Sequence, residues 1–335
     1  MILTIGTLQL QIKTDKEKMK VIDILKSDHK PFASFELVPP LKGSDINKLY
    51  SAIEPLMEFN PPFLNMTAHR DEVEYRQNSD GSFKKITITK RPGTVAIAAA
   101  IMKRFKVEVV PHIICGGSTK TEIENALLDL NFLDIQNVVA LRGDAIPGEK
   151  YFSPTPGGHR HSVTLVEQIS NMNSGIYLDD TLKDAVHTNF CIGVAGYPEK
   201  HCEAPNIHTD ISFLKKKVEA GAEYILTQMF FDNEMFFKFE QMCRDEGINV
   251  PIIPGIKPIS TLKHIEMLPK AFSIDIPGEL MKELNRCKDN NDIYTVGVEW
   301  CTAQCRELLR HGAKAIHFYT MGKAENVREI IRNSF

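Results

Sequence analysis

Residues 34–40, with the sequence SFELVPP, place a single carboxylate, Glu36, near the end of an apolar run that two prolines stop. The run has the composition of a β-strand, so we expect Glu36 near a strand's C-terminal end. Burial among apolar neighbours disfavours the charged form of a carboxylic acid, and such a glutamate holds a proton near neutral pH and donates it to a substrate. A solvated charge at a strand end is the other interpretation, and the pattern alone does not decide between the two.

Short apolar runs of this kind recur along the chain with amphipathic segments between them, which is typical of repeated βα units and a parallel sheet. We predict strands at residues 33–38, 62–67, 107–113, 137–141, 190–196, 223–228, 251–256 and 314–319. We predict helices at residues 45–58, 94–105, 119–133, 160–172, 207–220, 233–246, 260–268, 277–287, 294–311 and 323–333.

Eight strand and helix units predict an α/β fold, a (β/α)8 TIM barrel with extra helices, in a single domain over residues 19–335. An open doubly wound sheet is the competing architecture. Its glycine-rich turn after the first strand is missing, because Pro39 and Pro40 stand there. Residues 1–18 precede a second possible start at Met19, and we expect them to be an N-terminal extension outside the barrel.

Composition excludes several classes of function. The 335 residues carry 40 basic and 43 acidic side chains, so no basic field indicates a nucleic acid or an anionic membrane as partner. No apolar run approaches the roughly 20 residues of a membrane span, and the N-terminus lacks the charged-then-apolar order of a secretory signal, so we expect a cytoplasmic protein.

Seven cysteines are scattered along the chain, which suits reduced thiols. Cys301 and Cys305 lack the further ligands that a metal site needs, so no metal site is predicted.

Two segments between predicted elements are longer than a connection requires. Residues 69–92 are polar and follow the second strand, and residues 143–159 are rich in proline and glycine and follow the fourth. Both stand where the βα loops of a barrel build an active site, although loops of this kind also occur as surface excursions.

Polar residues stand at or just after most of the predicted strand ends. They are Glu36, Thr67, His112, Arg142, Gly143, Asp144, Tyr197, Gln228 and Tyr319. Singly, each has a structural explanation, such as a helix cap for Thr67 or a core histidine for His112. In a barrel they share one cleft, where Arg142 offers a planar fork of donors and Asp144 a fixed negative charge. A structural pair that flanks a turn is the alternative for Arg142 and Asp144.

A second cluster follows the fifth predicted strand. Residues 197–204, YPEKHCEA, are followed by Asp210 and by the lysines 215–217 of the next predicted helix. The tyrosine and histidine are suited to contact a planar ring, and the lysines are suited to meet a phosphate or a ribose.

Eight segments together resemble the methylenetetrahydrofolate reductase family. They are SFELVPP, PHIIC, VALRGD, GYPEKH, DISFLKKKVEAGA, TQMFFD, IIPGIKPIS and HFYT, in the family's order from about residue 30 to 333. The resemblance implies a flavoprotein oxidoreductase whose barrel binds FAD and reduces 5,10-methylenetetrahydrofolate to 5-methyltetrahydrofolate with NADH or NADPH. It places the chain in folate one-carbon metabolism and methionine biosynthesis, with ping-pong hydride transfer, and we expect a homo-oligomer.

The resemblance also implies roles for single residues. Glu36 matches the general acid that promotes protonation at nitrogen 10 of the folate, and Asp144 the aspartate that stabilises the resulting nitrogen-5 iminium cation. Gln228 matches a glutamine that binds the pterin, and Thr67 a residue near nicotinamide. His264 and Lys323 stand at folate-binding positions. The FAD-binding positions are His112, Arg142, Gly143, Asp144, Ser162, Tyr197, His201, Ala204, Asp210, Lys216 and Lys217.

Several positions depart from the better-known bacterial pattern. Thr67 is followed by Ala68, His69 and Arg70 and then by the long insert, so the contacts of that loop differ. Lys323 stands where an arginine contacts folate, and lysine keeps the charge but loses the bidentate fork. Because the chain ends soon after its eighth predicted strand, we expect no adenosylmethionine-binding regulatory domain.

Two other functions stay open on sequence grounds. One is another barrel enzyme, a metal-dependent aldolase or a pterin-using transferase, which needs a ligand cluster or a Schiff-base lysine. The other is a non-catalytic barrel that binds folate. The presence of both Glu36 and Asp144 speaks against the second, since a binding protein needs no proton donor.

Overall fold

The computed structural model describes residues 19–146, 149 and 151–335. The predicted N-terminal extension, residues 1–18, lies outside the described residues. The strands are β1 (Phe32–Leu37), β2 (Phe63–Met66), β3 (Glu72–Gln77), β4 (Phe83–Ile88), β5 (Glu108–Ile114), β6 (Asn137–Leu141), β7 (Cys191–Gly196), β8 (Tyr224–Met229), β9 (Ile252–Ile256) and β10 (Ala315–Tyr319).

Helices follow most of the strands. They are α1 (Val21–Lys26), α2 (Asn47–Ile53), α3 (Thr94–Phe105), α4 (Lys120–Phe132), α5 (Ser162–Asn173), α6 (Ile207–Glu219), α7 (Asn233–Asp245), α8 (Leu262–Phe272), α9 (Gly278–Leu284), α10 (Asn290–His311) and α11 (Glu325–Ser334), with a 3-10 helix at Glu54–Phe59.

Eight of the strands form a closed parallel barrel in the order β1-β10-β9-β8-β7-β6-β5-β2. The predicted (β/α)8 barrel is therefore confirmed, and each predicted strand matches a barrel strand to within one residue at either end. Such accuracy is possible because a parallel strand covered by helices reads as a nearly continuous apolar run between polar turns.

Residues 69–92 contain an antiparallel hairpin, which the sequence analysis treated as an irregular polar segment. Strands β3 and β4 pair from Glu72 opposite Ile88 to Gln77 opposite Phe83. The turn between them includes Gly81, whose φ of 84° suits a residue without a side chain. Tyr75 and Phe83 are exposed on the hairpin, so its residues carry no buried apolar face that would have marked them as strands.

Several helices differ in length from the prediction, and α2 and α9 are shorter than the predicted 45–58 and 277–287. Helix α10 begins at Asn290 rather than at residue 294, because the carboxylate of Asp289 accepts hydrogen bonds from the backbone of Asn291 and Asp292. Helix α8 continues to Phe272, past the predicted end at residue 268, with Pro269 inside its last turn.

The hydrophobic core has two main parts. The larger lies between the barrel and its helices and includes Phe35, Ile225 and Phe318. The other fills the lower barrel interior with residues such as Phe63 and Tyr224, and α1 packs against it. The six-residue helix α1 was not predicted.

A polar layer lies inside the barrel above this apolar filling. The hydroxyl of Ser34 lies 2.9 Å from Nδ1 of His317, and the amide nitrogen of Asn65 donates to Nε2 of His112 across 3.4 Å. Burial lowers the pKa of both histidines to about 3, so both are neutral at physiological pH. His112 thus lies inside the barrel, as a core histidine would.

Candidate active site

Glu36 lies at the C-terminal end of β1, in the mouth of the barrel. Burial raises the pKa of its carboxyl group from 4.5 to about 8, so the group holds its proton at neutral pH. Its neighbour across the sheet is Tyr319 of β10, whose hydroxyl donates to the carbonyl of Thr227 across 2.6 Å. Burial raises the pKa of Tyr319, and the charge of Glu36 contributes in the same direction. The side chain of Glu36 is half-buried, and its raised pKa favours an acid that holds its proton over a solvated charge.

Asp144 lies on another side of the mouth, in the loop after β6. The preceding residue, Gly143, has a φ of 82°, a conformation that suits glycine. Asp144 is exposed, and its backbone carbonyl accepts a hydrogen bond from Nη1 of Arg70 across 3.3 Å. The pKa of Tyr197 is raised chiefly by burial and also by the negative charge of Asp144. Asp144 and Tyr197 are therefore neighbours.

Arg142 connects the ends of β6 and β7. It donates to both carboxylate oxygens of Glu203 across 2.7 and 2.9 Å, and its Nη2 lies 3.5 Å from Nε2 of His201. The guanidinium carbon also lies 5.0 Å from the ring centre of Phe152. Charge-assisted and bidentate pairing fixes the orientation of a guanidinium, so Glu203 holds Arg142 in one position beside the mouth.

The segment after β7 places more of the predicted residues beside Arg142. The rings of Tyr197 and His201 meet edge to face at 4.8 Å, and Asp210 of α6 accepts from the backbone N–H of His201 across 2.8 Å. Lys217 donates to the carbonyl of Ala195 across 2.7 Å, and burial lowers its pKa to about 8. The carbonyl of Ala204 accepts from Nζ of Lys200 across 3.0 Å.

Other predicted residues are less closely connected to this group. Lys216 is exposed, with its ammonium 5.2 Å from the ring centre of Phe213. Ser162 is the first residue of α5. The side-chain oxygen of Gln228 accepts from the backbone of Met229 across 2.9 Å.

His69 is a residue of the mouth that the sequence analysis did not select. Its Nε2 lies 3.0 Å from the hydroxyl of Thr67, which also donates to the carbonyl of Leu37 across 3.3 Å. Burial and the charge of Arg91 lower the pKa of His69, while Asp144 acts in the opposite direction. The signal available in the sequence was its position two residues after the end of a predicted strand. His69 was not selected because this loop departs from the family's sequence pattern.

Glu203 and Lys257 are two further residues near the mouth that the sequence analysis did not select. Glu203 belongs to the cluster after β7 and binds Arg142 from 61 residues further along the chain. Lys257 directly follows β9 and is 3% exposed. Burial lowers its pKa to about 8, with Cys301 acting in the opposite direction and the charge of Lys323 in the same one.

The donors at the ends of β6 and β7 fit an anionic dinucleotide. Arg142 and Lys217 supply positive charge, and Tyr197 with His201 supplies flat aromatic surface beside it. Arginine forks and ammonium groups are the side chains that bind phosphate oxygens, and aromatic faces are suited to planar rings. These residues are compatible with FAD.

Within residues 19–146, 149 and 151–335, no group of three or more His, Cys, Asp or Glu side chains is arranged to hold a metal ion. None of the helices in this described part combines the length and apolar character needed to cross a membrane.

The comparison with protein families decides among barrel proteins. The model of the family described as methylenetetrahydrofolate reductase matches residues 20–334. The chain belongs to the methylenetetrahydrofolate reductase family. The resemblance found in the sequence is thereby confirmed.

Curated relatives agree with this family. Methylenetetrahydrofolate reductase (NADH) 1 of Arabidopsis thaliana is 33% identical over 328 residues, covering 94% of this chain and 50% of the relative. A probable methylenetetrahydrofolate reductase (NADPH) of Caenorhabditis elegans is 31% identical, covering 93% of this chain and 43% of the relative. The chain spans about half the length of these two reductases.

A bacterial relative is matched over most of its length. The 5,10-methylenetetrahydrofolate reductase of Escherichia coli is 31% identical over 297 residues, covering 87% of this chain and 86% of the relative. Among solved structures, an uncharacterized protein from Clostridium thermocellum that binds two copies of 5-methyl-5,6,7,8-tetrahydrofolic acid has a TM-score of 0.54 at 14% identity, with 91% of this chain and 95% of that chain covered. That likeness shows the shared fold.

Proposed function

We propose that this protein reduces 5,10-methylenetetrahydrofolate to 5-methyltetrahydrofolate, with NADH or NADPH as the reductant and FAD as the bound cofactor. The observation that carries the proposal is Glu36, a carboxylic acid with a pKa of about 8 in the mouth of a barrel of this family. Relatives named for NADH and for NADPH both match the chain, so the proposal includes either reductant.

Glu36 acts as the general acid. The methylene carbon of the substrate joins two nitrogens, and one of its C–N bonds must break before the carbon accepts a hydride. Protonation at nitrogen 10 makes that nitrogen a better leaving group, and the electron pair of nitrogen 5 then forms a double bond to the methylene carbon. Because the pKa of Glu36 is raised to about 8, the proton is in place at neutral pH, which an ordinary glutamate does not provide.

Asp144 stabilises the positive charge that develops on nitrogen 5 and its methylene carbon. The carboxylate lies beside Tyr197 and the loop of His69, so its charge acts on the mouth of the barrel. A fixed negative charge near a developing cation lowers the energy of the transition state, by about 3 kcal/mol for effects of this kind.

FAD would be held by Arg142, Tyr197, His201, Asp210 and Lys217. When bound, it supplies an acceptor for the hydride of the reduced nicotinamide and a donor of hydride to the folate, in two separate half-reactions. Arg142 and Lys217 provide the positive charge for its diphosphate. Asp210 holds the backbone of His201, and Glu203 holds Arg142, so the binding surface is oriented before the cofactor arrives.

The test of this function uses the purified protein. Its absorption spectrum should show a bound flavin, either as isolated or after incubation with FAD. Reduced nicotinamide should be oxidised in the presence of a quinone acceptor, and with methylenetetrahydrofolate the product should be 5-methyltetrahydrofolate. A protein that stays colourless after incubation with FAD and converts no folate would refute the proposal. Metal analysis of the same sample would detect a metal-dependent aldolase instead.

A further inference from the structure

The last two backbone carbonyls of β1 are held by threonine hydroxyls that follow the two neighbouring strands. The hydroxyl of Thr320, the residue after β10, donates to the carbonyl of Glu36 across 2.7 Å. The hydroxyl of Thr67, the residue after β2, donates to the carbonyl of Leu37 across 3.3 Å, and its backbone N–H donates to the same oxygen across 3.0 Å. The end of β1 is therefore fixed from both sides.

The sequence after β1 explains why these donors matter. Proline has no backbone N–H, so Pro39 and Pro40 donate no hydrogen bond from the main chain. The carbonyl of Pro39 instead accepts a hydrogen bond from Nη1 of Arg91. The end of the strand is thus held through its carbonyl oxygens, and each of these donors comes from a distant part of the chain.

Thr320 supplies a donor at the point where the backbone of β10 leaves the sheet. Tyr319 is the last residue of β10 and the partner of Glu36, and the chain then turns at Met321 and Gly322, whose φ values are 47° and 80°. A backbone in this left-handed region does not continue a strand. The hydroxyl of Thr320 accepts from the N–H of Gly322 across 3.3 Å, which leaves its own proton for the carbonyl of Glu36.

The hydroxyl of Thr320 is well protected from water. The residue is 3% exposed, and the distance of 2.7 Å to the carbonyl is the usual one for a hydroxyl donor. A buried carbonyl that loses its donor is left with an unpaired acceptor, and the backbone then shifts to find another one. Removal of this single hydroxyl should therefore loosen the end of β1 at Glu36.

The position of the Glu36 carboxyl depends on its backbone. Within the described part of the chain, no other group forms a hydrogen bond with this carboxyl, and the hydroxyl of the neighbouring Tyr319 donates to the carbonyl of Thr227 instead. A proton donor must lie within about 3.2 Å of its acceptor, and a misplacement of about 1 Å can lower a rate about 100-fold. What holds the backbone of Glu36 thus decides whether its proton reaches the substrate.

We propose that Thr320 is a positioning residue for proton transfer, whose hydroxyl holds the backbone of Glu36 so that the carboxyl stays within reach of nitrogen 10 of the folate. The inference rests on the proposed function and adds a residue to it. Thr320 ends the segment HFYT, which the sequence analysis used for the family resemblance without a role for its threonine. Because Thr320 acts through Glu36, it should affect the folate half-reaction and not the oxidation of reduced nicotinamide.

The test compares two replacements of Thr320. Valine has a similar shape but no hydroxyl, whereas serine keeps the hydroxyl. In Thr320→Val we expect kcat for folate reduction to fall about 10-fold with the KM for folate little changed, and in Thr320→Ser we expect most of the rate to be retained. Oxidation of reduced nicotinamide by a quinone should continue at the wild-type rate in both variants. If the valine variant does not fold, Thr320→Ala removes the same hydroxyl without a branched side chain.

Thr188 provides a matched control. It is 4% exposed, and its hydroxyl donates to the side-chain oxygen of Asn173 across 2.8 Å. Thr188 lies three residues before the start of β7, at the end of the barrel opposite to the mouth. Thr188→Val should lower the melting temperature as Thr320→Val does, because each loses one buried hydrogen bond. Both reaction rates should stay at the wild-type level in Thr188→Val.

A double replacement shows whether Thr320 acts through Glu36. In a protein that already carries Glu36→Gln, the proton donor is missing, so the addition of Thr320→Val should change the residual folate rate by less than about 2-fold. A further 10-fold loss in the double variant would mean that Thr320 acts by another route and would overturn the inference.

Three other results would also overturn it. They are a wild-type kcat for folate in Thr320→Val, an increase of KM alone, and equal losses of the folate and quinone reactions. The wild-type protein tests the proposed function separately. If it does not reduce methylenetetrahydrofolate, the proposed function fails, whereas a wild type that is active beside an equally active Thr320→Val refutes only the role of Thr320.

Discussion

The guanidinium of Arg142 donates to both carboxylate oxygens of Glu203, across 2.7 and 2.9 Å. The same carboxylate accepts from the backbone N–H of Phe152 across 3.5 Å, so one acid connects the loop after β6 with the segment after β7. Both side chains are partly shielded from water, at 20% and 28% exposure. Glu203 therefore positions the positive charge that we assign to the diphosphate of FAD.

Replacement of this acid tests that positioning. In Glu203→Gln the charge-assisted pair is lost, and we expect the Kd for FAD to rise about 5-fold, corresponding to about 1 kcal/mol for a partly exposed pair. The rate with saturating FAD should stay near that of the wild type, because Glu203 makes no contact with the proton donor. Quenching of flavin fluorescence measures the Kd, and Glu219→Gln, at an exposed position of α6, is the control. Tighter binding in Glu203→Gln would mean that the acid competes with FAD for Arg142.

Glu36→Gln should separate the two half-reactions. Glutamine keeps the size of the side chain but carries no acidic proton, so reduction of methylenetetrahydrofolate should fall by about 100-fold or more. Transfer from reduced nicotinamide to a quinone needs no proton at nitrogen 10, and its rate should change little. Steady-state assays of both reactions on one preparation make the comparison. Equal loss of both activities would show that Glu36 supports the fold or FAD binding rather than proton donation.

The pH profile gives a second measure of the same proton. Because the protonated form of Glu36 is the active one and its pKa is about 8, kcat/KM for the folate reaction should decrease as pH rises through about 8. The rate of the quinone reaction should show no such decrease as pH rises through about 8. A folate reaction whose rate stays constant from pH 7 to pH 9 would contradict the assignment.

Glu36 also links the stability of the protein to pH. Its pKa is about 8 in the folded protein and 4.5 as the ordinary value, so between these pH values the folded state binds a proton that the unfolded state releases. This contribution to the free energy of unfolding is fully present below pH 4.5 and is lost as pH rises to about 8. Glu36→Gln has no such loss, so relative to the wild type it should gain a few kcal/mol between pH 5 and pH 8.5. Urea unfolding at the two pH values measures the difference, and a constant difference would show that the pKa of Glu36 is not raised.

The sequence carried enough information for the barrel and for one side of its mouth. Strand ends such as Glu36 and Arg142 were predictable because polar residues directly follow buried apolar runs, which is a local pattern. The hairpin was missed because Tyr75 and Phe83 are exposed, so the strands have no buried face to mark them. Helix α1 was missed because six residues are too few for a helical period to be recognised.

Contacts between distant residues could not be predicted in the same way. Glu203 is 61 residues from Arg142 in sequence, and only the closure of the barrel brings the two together. Lys257 belongs to an apolar motif, IIPGIKPIS, in which a lysine reads as a solvated loop residue. That it is buried, with no ion pair among the described residues, depends on how α10 and the loop after β10 pack around it, which no local pattern encodes.

Gly193 tests the packing of the barrel interior below the active site. It lies opposite Tyr224 in the pairing of β7 with β8, and a Cβ at position 193 would come within 2.3 Å of the tyrosine ring. Tyr224 is fully enclosed, so the ring has no room to move, and we expect Gly193→Ala to lower the free energy of unfolding by about 1–3 kcal/mol. Gly278→Ala is the matched control, because nothing lies within 4 Å of the added atom and the site begins α9, where alanine is favourable. Chemical denaturation of both variants makes the measurement, and an unchanged stability of Gly193→Ala would show that the interior around Tyr224 is not tightly packed.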